Sequence, residues 1–117
     1  MIELTFPWPP AALSPNARTH WAVKAKAAKK YKSDCLWICT IMNRAGKLHA
    51  NKISQNLISI TFNPPDNRRR DGDNLLSSVK QLIDAISDFT GIDDSKFTIT
   101  FSKSTPVKHG AVKVVIA

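Results

Sequence analysis

The alternation of apolar and polar positions begins at once. Ile2 to Phe6 reads as a strand with every second side chain apolar. Pro7-Trp8-Pro9-Pro10 ends it, because prolines forbid both a ladder and a helix. Ser14-Pro15-Asn16 marks a further turn, and a helix is expected to start between Asn16 and His20. Trp21, Ala25, Ala28, Tyr31, Cys35, Ile38 and Met42 then hold helical spacing for about six turns, and Gly46 ends the run. Leu57 to Phe62 predicts a second strand, broken by Pro64-Pro65.

A charged loop, Asp66 to Asp73, leads into a second helix expected over Asp73 to Ser87. A turn over Phe89 to Ser95 follows. Phe97 to Ser102 and Val112 to Ile116 read as strands joined by Lys103 to Gly110, which predicts an antiparallel hairpin. The order β-α-β-α-β-β predicts one α+β domain over residues 1–117, with two main helices packed on a small mixed sheet. Helical crossovers permit parallel pairing of the first strands.

Composition changes this picture in one respect. Lysine and arginine number 17 against 9 acids, a net charge of +8 on 117 residues. Such a charge points to a polyanionic partner. No apolar run is long enough to span a bilayer and no signal peptide is visible, so DNA or RNA is the expected partner and not a membrane. Cys35 and Cys39 have no metal-ligand spacing with other Cys or His and read as reduced core residues, in keeping with a cytoplasmic location. His49 and His109 read as loop residues, His20 as structural or DNA-contacting, and Trp8 and Trp21 as packing residues.

The acids are unevenly placed. Seven of the nine lie between Asp66 and Asp94, and all seven are aspartates. Clustered carboxylates repel unless a cation or proton neutralises them, and hard oxygen donors suit Mg²⁺ or Mn²⁺. In Arg68-Arg69-Arg70-Asp71-Gly72-Asp73-Asn74, two carboxylates flank a glycine that permits a tight path, beside guanidinium groups suited to phosphate. That juxtaposition is what metal-assisted phosphodiester hydrolysis requires. The bland alternative makes Asp73 a helix cap and the arginines a solvated loop. On one continuous helix, Lys80 and Asp84 fall within about 20° of Asp73, away from the apolar side. Asp93-Asp94 is a second acidic pair, readable as a turn cap or as the source of a third ligand.

Arg69-Arg70-Asp71-x-Asp73-Asn74, Lys80-x-x-x-Asp84-Ala85 and Asp93-Asp94 together resemble the signature of RusA-type crossover-junction endodeoxyribonucleases. Pro7-Trp8-Pro9-Pro10 with Leu13-Ser14-Pro15-Asn16-x-Arg18-x-His20-Trp21 is similar to the N-terminal signature of phage and prophage members. The resemblance covers most of the chain. It implies a homodimeric Holliday-junction resolvase of a bacterial host or prophage, which nicks four-way DNA symmetrically with Mg²⁺, or Mn²⁺ as substitute, in recombination and repair. It implies catalytic metal ligands at Asp71, Asp73 and Asp94, with Asp93 in support. The family lysine is expected at Lys80. Ser77 stands at the family's simpler spacing, and Lys80 keeps the downstream register with three residues more.

Arg18, Lys24, Lys26, Lys29 and Lys30, with Arg68, Arg69 and Arg70, are expected to contact phosphates. Two alternatives accompany the resolvase: a non-catalytic basic module that binds nucleic acid, and a metal-dependent nuclease for other branched or single-stranded DNA.

Overall fold

The computed structural model describes residues 1–46 and 53–117. Four strands, β1 (Ile2–Phe6), β2 (Leu57–Asn63), β3 (Thr98–Lys103) and β4 (Ala111–Ile116), form one mixed sheet in the order β1-β4-β2-β3. Three α-helices, α1 (Trp21–Arg44), α2 (Gly72–Ser78) and α3 (Lys80–Thr90), complete an α+β domain. His49 lies outside the described residues, while His109 sits in the turn before β4 at φ 66°.

The period-2 pattern explains the sheet. Registration aligns Ile2, Ile116 and Ile58 in one row, Leu4, Val114 and Ile60 in the next, and Phe6, Val112 and Phe62 in a third. All nine are buried. The intervening Glu3, Thr5, Ser59 and Lys113 lie between them on the opposite face of the pleat. α1 supplies Tyr31, Cys35 and Cys39 to the covered face, and α3 supplies Leu82, Ile83 and Ile86. Both cysteines are free and buried, as expected, and burial pushes the Cys35 thiol up to about 12 and that of Cys39 up to about 11.

The expected hairpin does not form. β3 pairs with β2 in parallel, through a helical crossover, and β4 pairs antiparallel with both β1 and β2. The loop after β3 instead passes over the end of β2, where Ser104 N–H donates to Phe62 O and Val107 N–H to Pro64 O. β1 and β2, open to parallel pairing on the sequence, are held apart by β4, whose alternating valines and isoleucine fit a central strand.

The helix expected over Asp73 to Ser87 is two helices. Val79 leaves helical geometry (φ −107°, ψ 19°) and its N–H turns to Leu76 O and Ser77 O. Val79 is fully buried, so the break serves packing: each short helix seats its own apolar side chains.

Trp21 also departs from expectation. It is 76% exposed at the start of α1, because the buried stripe of that helix begins only near Ala28 and Tyr31.

Among the described residues no helix is long and apolar enough to cross a membrane.

Candidate nucleic-acid and metal site

Tyr31 fixes the start of the site. Its buried hydroxyl donates to Pro7 O (2.8 Å), which ties the proline-rich segment after β1 to the middle of α1. The segment then runs as extended chain into a 3-10 turn at Ala11–Leu13. Trp8 packs edge-on against Phe62, with ring centroids 6.1 Å apart. Gly110 makes that seat possible, since a Cβ there would lie 2.9 Å from Trp8 Cβ and Cγ.

The arginine-rich loop comes to the same place from the end of β2. Asp66 organises it. Arg70 Nη1 lies 2.9 Å from Asp66 Oδ1, and the Arg68 N–H donates to the same oxygen. The Arg70 guanidinium, with the Arg68 amide, holds the Asp66 carboxyl below its usual range. Arg70 also lies 5.5 Å from the Trp8 ring centroid and donates to Asp66 O and Arg68 O. These bonds commit it to holding the loop; Arg69 is exposed, and so is Arg68, whose Nε also lies 3.5 Å from Asp66 Oδ2. From β3, Lys103 Nζ donates to Arg70 O (2.9 Å).

The result is a hollow of about 540 Å³ between the two segments. One wall is Trp8, Pro9, Pro10, Ser14 and Asn16. The other is Arg68, Arg69, Arg70, Asp71, Asn74 and Ser78. Asp71 caps α2, its Oδ1 accepting from Asp73 N–H at 3.0 Å. Gly72 does not adopt a positive φ. Its lack of a side chain is needed because a Cβ would come within 2.8 Å of the Phe101 ring.

Lys80 lies elsewhere. It lines a second hollow, of about 410 Å³, with Leu13, Pro15, Trp21, Lys24 and Ser77. The break at Val79 removes the continuous Asp73-Lys80-Asp84 stripe that a single helix would carry. The hollows lie on either side of the Leu13–Asn16 turn and share no lining residue.

Asp93 and Asp94 form the start of a 3-10 turn before β3, where Asp93 Oδ1 accepts from Ser95 N–H at 3.0 Å. That bond holds the Asp93 carboxyl below its usual range. Thr98 at the foot of β3 donates to Asn56 O, at the start of β2, whereas the arginine loop follows the end of β2. The two acidic turns thus join opposite ends of the parallel β2–β3 pair. Among the described residues no three His, Cys, Asp or Glu side chains are grouped closely enough to hold a cation. Asp71 and Asp73 have the right donor chemistry for Mg²⁺, but the three-carboxylate set with Asp94 is not assembled in the single chain.

Of the lysines on α1, Lys30 is paired with Asp34 (3.0 Å), Lys32 reaches Asp88 of α3 (2.7 Å), and Lys24 faces the second hollow. Lys26 and Lys29 are exposed, as is Arg18 before the helix. His20, exposed, caps α1, its Nδ1 accepting from Ala22 N–H. Sequence reasoning missed Asp66 and Lys103 as the ties of the arginine loop. The Asp66-x-x-x-Arg70 spacing was the available signal for the first; nothing local signals the second.

No family model matches the chain. It is 34% identical over 117 residues to an uncharacterized protein of Xylella fastidiosa (strain Temecula1 / ATCC 700964), in an alignment covering 98% of this chain and 74% of that protein. The chain belongs to the same protein family as that Xylella protein.

Proposed function

We propose that the chain is a RusA-type endonuclease, a Holliday-junction resolvase that nicks four-way DNA in recombination and repair. One observation carries the reading. The Pro7–Asn16 segment and the Arg68–Asn74 segment, far apart in sequence, line one hollow in which Asp71 stands beside exposed guanidinium groups. Arg68 and Arg69 grip the phosphates of a strand laid along the hollow, with Lys24 and Lys80 beyond the Leu13–Asn16 turn extending the track. Asp71 and Asp73 would hold Mg²⁺ or Mn²⁺, which when bound stabilises charge on phosphate oxygens and lowers the pKa of water. Asp94 joins them only if the chain or its assembly rearranges.

The test is incubation of purified protein with a labelled four-way junction, with and without Mg²⁺. Symmetric nicks that need the metal, and that disappear in Asp73→Asn while junction binding persists, are expected. Full cutting by Asp73→Asn overturns the assignment.

The ungrouped carboxylates favour a second reading, a basic module that binds nucleic acid without cutting it. Junction binding with no nicks under any metal condition selects that reading. Competition among junction, duplex and single strand at fixed salt separates resolvase from a nuclease of other substrate preference.

A further inference from the structure

We propose that the second hollow is a base-stacking subsite, in which one unpaired nucleobase of a bound DNA strand lies against Trp21 while Lys24 and Lys80 hold the phosphates beside it. The inference rests on the nucleic-acid side of the reading above and not on cutting.

Trp21 leaves 76% of its surface in water, in the first turn of α1. An indole this bare adds little to the core, so packing within the chain does not account for it. Its ring is nonetheless placed. The His20 ring lies 5.6 Å from it at a tilt of 33°, and His20 is itself fixed by accepting from Ala22 N–H. Trp21, Lys24, Ala25 and Ala28 follow i, i+3, i+4, i+7 spacing, so one face of α1 makes one wall of the hollow. The two alanines leave room in front of the indole. Ser77 and Lys80, on either side of the break at Val79, make the facing wall with Gln81.

The mixture of groups selects the occupant. The indole offers a flat apolar face, Lys24 and Lys80 offer two ammonium groups, and Ser77 and Gln81 offer hydrogen-bonding groups. Among the described residues no acid lines the hollow. A purely apolar ligand would leave both ammonium groups without a partner. A nucleotide meets all three demands: ring face to indole, base edge to the amide and hydroxyl, phosphates to the lysines. The volume of about 410 Å³ falls in the ordinary range of ligand clefts, about 300–1,000 Å³. Its place fits as well. Leu13 and Pro15 line this hollow, while Ser14 and Asn16, alternating with them, line the first. A strand held at Arg68 and Arg69 has only that turn to cross. A base reaches the indole face only after leaving its own stack, so the subsite favours single-stranded or branch-point DNA over duplex.

Anisotropy of a labelled oligothymidylate and of a labelled duplex, with the full-length chain at one salt concentration and no divalent metal, tests the proposal. Trp21→Ala should weaken the single strand about tenfold, the loss of one stacked base, and leave the duplex within about twofold. Trp21→Phe should keep most of the affinity. A strand with abasic sites in place of its bases should bind wild type and Trp21→Ala alike. Trp37→Ala is the control, since Trp37 is also exposed on α1 but lines neither hollow, and it should change nothing. Lys24→Ala should weaken both ligands and lower the salt slope by about one. Equal weakening of single strand and duplex by Trp21→Ala overturns the proposal. So does unchanged single-strand binding, or Trp21-dependent attachment to phosphatidylserine vesicles with none to DNA. A wild type that binds the strand through Trp21 and never nicks a junction leaves the subsite standing and sinks only the resolvase. One that nicks junctions, while Trp21→Ala binds the single strand normally, sinks only the subsite.

Discussion

The loop that ends at Asp71 and the turn at Asp93 use the same local device for different ends. In each, an aspartate accepts a backbone N–H two residues on at 3.0 Å and starts a short helical turn. Asp71 then stands in a hollow held by Tyr31, Trp8, Arg70 and Lys103, against guanidinium groups. Asp93 stands on an exposed turn whose fixed partner is its own backbone. Identical capping chemistry therefore says nothing about chemistry with a ligand. What distinguishes the two is the tertiary scaffold, and only the first has one built around it.

The sharpest way to break that comparison is catalytic. On the resolvase reading, Asp73→Asn and Asp94→Asn each lower junction nicking on the order of a hundredfold, with binding nearly unchanged. Asp93→Asn stays close to wild type. Normal cutting by Asp94→Asn would leave the scaffolded loop as the whole metal site and remove the second turn from it.

Two glycines offer a second contrast. Gly110, beneath Trp8, and Gly91, before the Asp93 turn, share a left-handed backbone (φ 73° and 74°). A Cβ on Gly91 meets nothing within 4 Å, whereas on Gly110 it would sit 2.9 Å from Trp8. Gly91→Ala is expected to cost about 1 kcal/mol from the backbone alone. Gly110→Ala should cost about 2–3 kcal/mol, since Trp8 must also yield. Equal losses in urea unfolding would mean that Trp8 is loosely held. Tyr31→Phe should then cost about 1 kcal/mol through the lost bond to Pro7 O, with faster exchange of amide hydrogens in the proline-rich segment.

Much of this was legible in the sequence, for physical reasons that also explain the gaps. The strands were readable because Leu4 and Ile60 alternate with polar neighbours, and burial on one face enforces that period. Their order was not, because whether β4 pairs with β3 or inserts beside β2 depends on where the α2–α3 crossover delivers β3. The break at Val79 was hidden, because valine carries no local signal for it. Arg68 to Asp73 stood out by charge alone. That Arg70 is a tether, and that Lys80 faces another hollow, followed only from the packing of Trp8 and α1.

The smallest expected effect separates the two turns by the origin of their charge stabilisation. Asp66, which ties the arginine loop, has its carboxyl pulled below the usual range first by Arg70, then by the Arg68 amide. Asp93 is pulled the same way first by the Ser95 amide. A carboxyl depressed in the folded chain binds its proton more readily when unfolded. Each therefore adds stability above the ordinary carboxylate range, and that stability is lost as pH falls below about 4. Salt tells them apart. Carboxyl resonances followed by nuclear magnetic resonance should show the Asp66 titration moving back toward its ordinary value at high ionic strength, as the Arg70 charge is screened. The Asp93 titration should barely move, because a dipolar bond within one turn is little screened. If both move together, the arginine loop is held by no more than the generic positive field of the chain, and the contrast between scaffolded and unscaffolded aspartates fails at its electrostatic root.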